Sequence, residues 1–153
     1  MKQEGEGRKG IPLGRVIIPI DESAEMDKVV DKAFTLAKEM KRNVVALYVV
    51  DSPRLTEVIP PNETSVAWES LLSKEGQKIL DGIEKKGKER GIQVIKKIVT
   101  GVPDNEILKE AKKHDLIIMG CRSRDIFDRL LTSSVCEKII DHSSSSVMTY
   151  RVN

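Results

Sequence analysis

An open, doubly wound α/β sheet of five parallel strands, with helices on both faces, is the fold class this sequence predicts. Three observations predict it. Apolar runs recur at Arg15 to Ile20, Val44 to Val50 and Asp115 to Gly120, without the polar alternation of a half-exposed strand. Between them lie stretches whose apolar residues return at three- and four-residue steps, as one buried helix face requires. Strand and helix alternate five times in 153 residues, a length that suits one domain with a full core.

The elements follow in order. Met1 to Gly14 is charged, glycine-containing and has nothing to bury, so it is expected to be a flexible arm. Arg15-Val-Ile-Ile-Pro-Ile20 is the first strand. Ser23 is placed to cap the next helix, with Glu25 and Asp27 in its positive first turn. Met26, Val29, Val30, Ala33, Phe34, Ala37 and Met40 form its apolar stripe, and Asn43 is expected to break it. Val44 to Val50 is the second strand. Asp51 to Ser65, with Pro53, Pro60 and Pro61, reads as a long loop. A helix from about Val66 to Arg90 packs through Leu72, Gly76, Ile79, Leu80, Ile83 and Gly87, and Gly91 ends it.

Ile92 to Val99 alternates, which predicts a strand near a sheet edge. Pro103 opens a short helix with Ile107, Leu108 and Ala111 inside. Asp115 to Gly120 is the fourth strand, Ser134 to His142 the fourth helix, and Val147 to Val152 the last strand. In such sheets ligands sit beyond the carboxyl ends of the strands, where strand order reverses. Asp21, Val50-Asp51, Gly101 and the loop at Gly120 occupy those ends.

Composition narrows the function classes. Aromatic residues are 3% of the chain, too few for a base-stacking platform. The net charge of +2 comes from 26 basic and 24 acidic residues, interleaved, which argues against nucleic acid as a partner. The longest apolar run, Val44 to Val50, is too short to cross a bilayer, and Met1 to Gly10 lacks an apolar signal core. A cytoplasmic protein without membrane association is therefore expected. Cys121 and Cys136 have no Cys-x-x-Cys spacing and are expected to be free thiols. His114 and His142 lie outside any metal-ligand spacing.

Common catalytic signatures are missing. The sequence has no G-x-x-x-x-G-K-[ST] loop, no G-x-G-x-x-G fingerprint following a strand and no G-x-S-x-G elbow. Thr100-Gly101 stands where a receiver domain would carry its phosphoacceptor Asp, and Asp21-Glu-Ser-Ala24 has a single serine where an FMN loop wants several hydroxyls. No residue set for general acid–base or covalent catalysis is visible, which leaves enzyme status open on the residues alone.

Four segments carry a specific likeness: Val-Ile-Ile-Pro-Ile-Asp21-Glu-Ser, Ala-Leu-Tyr-Val-Val-Asp51, Val-Thr-Gly101-Val-Pro-Asp-Asn-Glu-Ile107 and Asp-Leu-Ile-Ile-Met-Gly120. Together they resemble the universal stress protein family from about Arg15 to Val152. The resemblance implies one such domain over residues 15–153, of the adenine nucleotide alpha hydrolase-like fold. Nucleotide-binding members carry Gly-x2-Gly-x9-Gly-[Ser/Thr] after the fourth strand. Here the register reads Gly120-x2-Ser123-x9-Ser133-Ser134, and Ser146 replaces the proline usual before the last strand.

The resemblance implies an ATP or AMP site, with Mg2+ as a companion, and a role as stress sensor or regulator, with slow ATP hydrolysis at most as an activity. Asp21, after Ile20, would accept from the adenine or ribose end, and backbone at Val49 would read the adenine edge. Amides from Gly120 through Arg122 to Ser123, and of Ser133 and Ser134 ahead of Val135, would wrap ribose and phosphates at a helix N-terminus. Each has a plainer reading. Asp21 can serve the first helix, and Ser134 with Glu137 forms a capping box. Arg122 and Arg124 add positive charge, as any solvated arginines would.

The serines at 123 and 133 matter because glycine there permits positive φ and close ligand approach. A left-handed Ser123 would cost roughly 1–2 kcal/mol. Weakened binding and loss of binding both remain open on the residues alone. The resemblance also implies a homodimer through Val147 to Val152, and an apolar terminal edge strand invites such pairing. Two alternatives stand beside the nucleotide reading: a dimeric interaction module of the same fold without ligand, and thiol-based sensing at Cys121, which would need arginines to lower its pKa.

Overall fold

The computed structural model describes residues 14–58, 64–122 and 133–152. Their order is β1 (Val16–Ile20), α1 (Met26–Met40), β2 (Val44–Asp51), α2 (Ser52–Val58), α3 (Ser65–Glu89), β3 (Val94–Gly101), α4 (Pro103–Glu110), β4 (Leu116–Arg122), α5 (Ser133–His142) and β5 (Ser146–Val152). The five strands form one sheet in the order β3-β2-β1-β4-β5, with every neighbouring pair parallel. The doubly wound fold class read from the sequence is therefore the one observed. Order reverses between β1 and β4, and β3, read as an edge strand, does lie at an edge.

The unbroken apolar runs are explained by burial on both faces. Val16, Ile18, Val44, Ala46 and Leu116 pack with Phe34 of α1 and with Leu80 and Ile83 of α3. Ile17, Val45, Leu47, Ile117 and Met119 pack with Ile107 of α4 and with Cys136 and Ile139 of α5. Adjacent residues of one strand thus feed opposite cores, as a period of two requires. The stripe on α1 is buried from Met26 to Ala37.

Several boundaries differ from the expectation for identifiable reasons. Ser23 does not cap α1: the N-cap is Glu25, without a side-chain cap bond. The Ser23 amide instead donates to Asp21 Oδ1 at 2.8 Å, and the Ser23 carbonyl accepts from the Met26 amide. The helix ends at left-handed Lys41 (φ 56°), two residues before Asn43. Asn43 turns its carbonyl to the Val16 amide, which fixes the entry to β2.

Asp51 to Ser65 is not one loop. Asp51 belongs to β2, and its Oδ1 accepts from the Arg54 amide at 3.3 Å as α2 begins. Pro53 suits that first turn because its missing N–H would have no partner there. Residues 59–63, with Pro60 and Pro61, lie outside the described residues, as do 1–13 of the expected arm. Strand β4 runs two residues past Gly120, because Cys121 and Arg122 continue pairing with Arg151 and Val152. Gly91, with φ +72°, ends the α3 segment as expected.

Gly76 allows α3 to touch the sheet. A Cβ there would lie 2.6 Å from the Tyr48 ring, whereas at Gly82 it would meet nothing within 4 Å. Gly76→Ala is expected to destabilise by about 1–2 kcal/mol net, the clash exceeding the gain in helix propensity. Gly82→Ala should stabilise by about 0.5–1 kcal/mol. Urea denaturation of both variants checks this; equal responses at the two positions would remove the close-approach account.

Candidate functional site

The central strand is short. Pairing of β1 with β2 stops at Ile20–Tyr48, while β2 continues with β3 as far as Asp51–Gly101. On the other side β1 pairs with β4 only through Val16–Leu116 and Ile17–Ile117, while β4 continues with β5 to Arg122–Val152. The carboxyl end of the sheet therefore carries a notch above β1. At about 3.3 Å per residue, β2 runs roughly 10 Å past the end of β1; β4 parts from β1 after Ile117 and, in the same register, runs roughly 7 Å past Ile20. Backbone of Val49 to Asp51 has no β1 partner along that overhang.

The expected site residues distribute around this notch. Ile20 ends β1 as part of the apolar core, and Asp21 follows at the lip. Val49 stands on the β2 overhang, and Gly120 and Arg122 on the stretch of β4 that no longer pairs with β1. Nothing is described for the Arg122 or Ser133 side chains, and Ser123 lies outside the described residues. Ser133 is the first residue of α5, one earlier than expected, which puts Ser134 and Val135 in its opening turn. Val135, Val49 and Cys121 all pack against the core cluster that contains Met119 and Cys136. Topology thus gathers the β1, β2 and β4 residues at one sheet end, with the α5 start beside them.

The electrostatics have two ends. Asp21 Oδ1 holds the Ser23 amide, so the carboxylate supports its own turn directly after β1. Glu22 accepts from the Tyr48 hydroxyl at 2.7 Å. Burial, then the Glu22 hydrogen bond, push the Tyr48 phenol well above its ordinary range, so it stays a donor. Next to them is a hollow of about 390 Å³ between the β1–α1 turn and α3. It is lined by Asp21, Glu22, Asp27 and Lys86 with Met26, Val30, Ile79 and Ile83. Its carboxylate-rich wall suits hydroxyl or amine donors and repels phosphate. The α5 N-terminus, with its positive macrodipole, is the end that suits an anion.

Cys121 and Cys136 are joined in a disulfide, with Cα atoms 6.3 Å apart, which corrects the expectation of free thiols. Fifteen residues separate them in sequence, and packing α5 on β4 brings them together. Local Cys spacing carries no signal of such a tertiary contact. The Tyr48–Glu22 bond was also missed, although a tyrosine inside a buried strand does announce a need for a polar partner. Among the described residues no group of three or more His, Cys, Asp or Glu is arranged to hold a metal ion, and no helix is long and apolar enough to cross a membrane.

Comparisons with known proteins give the family. The family model described as "Universal stress protein family" matches residues 12–151. Universal stress protein MJ0531 of Methanocaldococcus jannaschii is 34% identical over 142 residues, which cover 90% of this chain and 81% of that protein. The solved structure of MJ0577, a universal stress protein of the same organism, superimposes with a TM-score of 0.74 at 25% identity, covering 93% and 99% of the two chains. A universal stress protein solved with cAMP (TM-score 0.62, 19% identity, coverage 91% and 97%) shares the fold. So does one from Archaeoglobus fulgidus solved with dAMP (TM-score 0.62, 15% identity, coverage 89% and 96%). With the family model spanning residues 12–151 and a 34% identical relative covered over 81% of its length, the chain belongs to the universal stress protein family.

Proposed function

We propose that the protein binds an adenine nucleotide, ATP or AMP, with Mg2+ beside the phosphates, in the notch above β1, and acts as a cytoplasmic stress sensor or regulator. The notch itself is the observation that carries this reading. It leaves β2 backbone near Val49 without a β1 partner, where it would read an adenine edge, and Asp21 at its lip would accept from ribose hydroxyls. It also brings the β4 overhang and the α5 N-terminus to the side where phosphates would sit. The family members solved with cAMP and dAMP support the choice of ligand class. Ser123 and Ser133 replace glycines of the family pattern, so affinity is expected to be weaker than with glycine, by about tenfold for each 1.4 kcal/mol of strain.

A second reading has its own support: a homodimeric interaction module that uses the fold without ligand. Strand β5 is an edge with Met148 39% exposed, and Ile140 on α5 is 53% exposed, an apolar margin that a second copy would cover through Val147 to Val152. One calorimetric experiment separates the readings. Titration of the protein with ATP or AMP plus Mg2+ should give heat that saturates below millimolar ligand, and the Ser123→Gly/Ser133→Gly variant should bind more tightly. Heat from the double-glycine variant alone selects the interaction module. Heat from neither ends the nucleotide reading.

A further inference from the structure

We propose that the Cys121–Cys136 disulfide is an exchangeable redox site whose state sets how firmly the first turn of α5 is held against β4, and thereby how tightly the nucleotide is bound. The second part rests on the nucleotide reading above. The cross-link joins the sixth residue of β4 to the fourth residue of α5. Gly120 and Arg122 adjoin one sulfur-bearing residue, and Ser133 to Val135 directly precede the other. The bond therefore spans the two backbone segments proposed to wrap the phosphates, and fixes their separation at its own length. Without it, the same segments lose a covalent tie.

The two sulfurs are unequal. Cys136 is 3% exposed, whereas Cys121 is half-buried at the end of the sheet. An incoming thiolate therefore meets Cys121 first and leaves Cys136 as the departing thiolate. That thiolate forms in the first turn of α5, where the positive end of the helix offsets part of the cost of charge among apolar neighbours.

With a dithiol reductant the step balances. One reductant thiolate attacks Cys121 Sγ, the Cys121–Cys136 bond breaks, and a mixed disulfide forms on Cys121. The second reductant thiolate then attacks its own sulfur partner in that mixed disulfide and releases the Cys121 thiolate. Two electrons pass to the protein, the reductant leaves as a cyclic disulfide, and its two thiol protons are available to the two cysteines. Cys136 Sγ lies 3.7 Å from the Gly120 carbonyl oxygen. Once reduced, its S–H can donate to that carbonyl, so reduction acts on a residue assigned to the nucleotide.

The test uses the full chain in three forms: oxidised with glutathione disulfide, reduced with dithiothreitol, and as the Cys121→Ser/Cys136→Ser variant. Each is titrated with ATP and Mg2+, with thiols counted by mass spectrometry. The oxidised form should bind at least about fivefold more tightly than the reduced form, because less ordering remains to be done on binding. The double-serine variant should match the reduced form and ignore dithiothreitol. Equal affinity in all three forms overturns the proposal and leaves the nucleotide reading intact, as do two thiols that never pair under glutathione disulfide.

If no form binds ATP, the nucleotide reading fails, and with it the coupling to affinity. Amide hydrogen exchange then judges the tether by itself. Reduction that speeds exchange within α5 supports an exchangeable clamp, and unchanged exchange overturns it.

Discussion

Asp21→Ala is expected to weaken ATP binding by roughly 10- to 150-fold, the range for losing a hydrogen bond to a charged group. The magnitude follows from the place of the carboxylate, at the lip of the notch left by the short central strand. Asp21 also supports its own turn through the Ser23 amide, so an alanine effect alone would be ambiguous. Asp21→Asn separates the two roles. Its side-chain oxygen still accepts from Ser23, but an NH2 replaces the second acceptor. Both variants should lose affinity in calorimetric titration while melting within a few degrees of the parent. If asparagine binds like the parent and only alanine fails, the residue works through the turn and the ribose assignment is wrong.

Asp115→Ala is expected to cost about 3 kcal/mol, a fall in Tm of roughly 10 °C. Asp115 is 4% exposed at the opposite pole of the sheet. It receives the Arg15 amide at 2.7 Å, Arg15 Nη2 at 2.7 Å and the Lys112 amide at 2.7 Å. Arg15 also reaches Glu110, which accepts from Lys97. One carboxylate thus fastens the start of β1 to the turn before β4, and its loss strands two backbone donors and part of a guanidinium.

Acid should produce the same failure gradually. Burial alone pushes the Asp115 carboxyl up, but hydrogen bonds from the Arg15 side chain, then from the Arg15 and Lys112 amides, outweigh it and hold it below the ordinary range. Glu110 is lowered in the same way, against burial, by Lys97 and Arg15. The unfolded chain therefore binds these protons more readily. The stabilisation is present above about pH 4 and disappears as pH falls through the folded values. Thermal melts between pH 6 and pH 2 should show a shallower acid decline for Asp115→Asn than for the parent. Parallel declines would mean that this carboxylate does not govern acid stability.

Composition and periodicity alone were enough to establish most of the scaffold. Runs such as Val44 to Val50 have no polar face to offer water, so they can only be central strands, and the α1 stripe can only face a sheet. The predicted strand ends also marked Asp21 and Gly120 as positions of interest, and the family resemblance supplied their expected roles. Tertiary structure decided what depends on distances between remote residues. It set where β1 stops relative to both neighbours, and so created the notch. It also made α2 out of an expected loop and bonded Cys121 to Cys136 across an α5–β4 packing contact. The physical reason is the range of the forces. Hydrophobic periodicity and capping act over a few residues and are written locally, whereas strand overhang and sulfur pairing are set by how whole elements pack against one another.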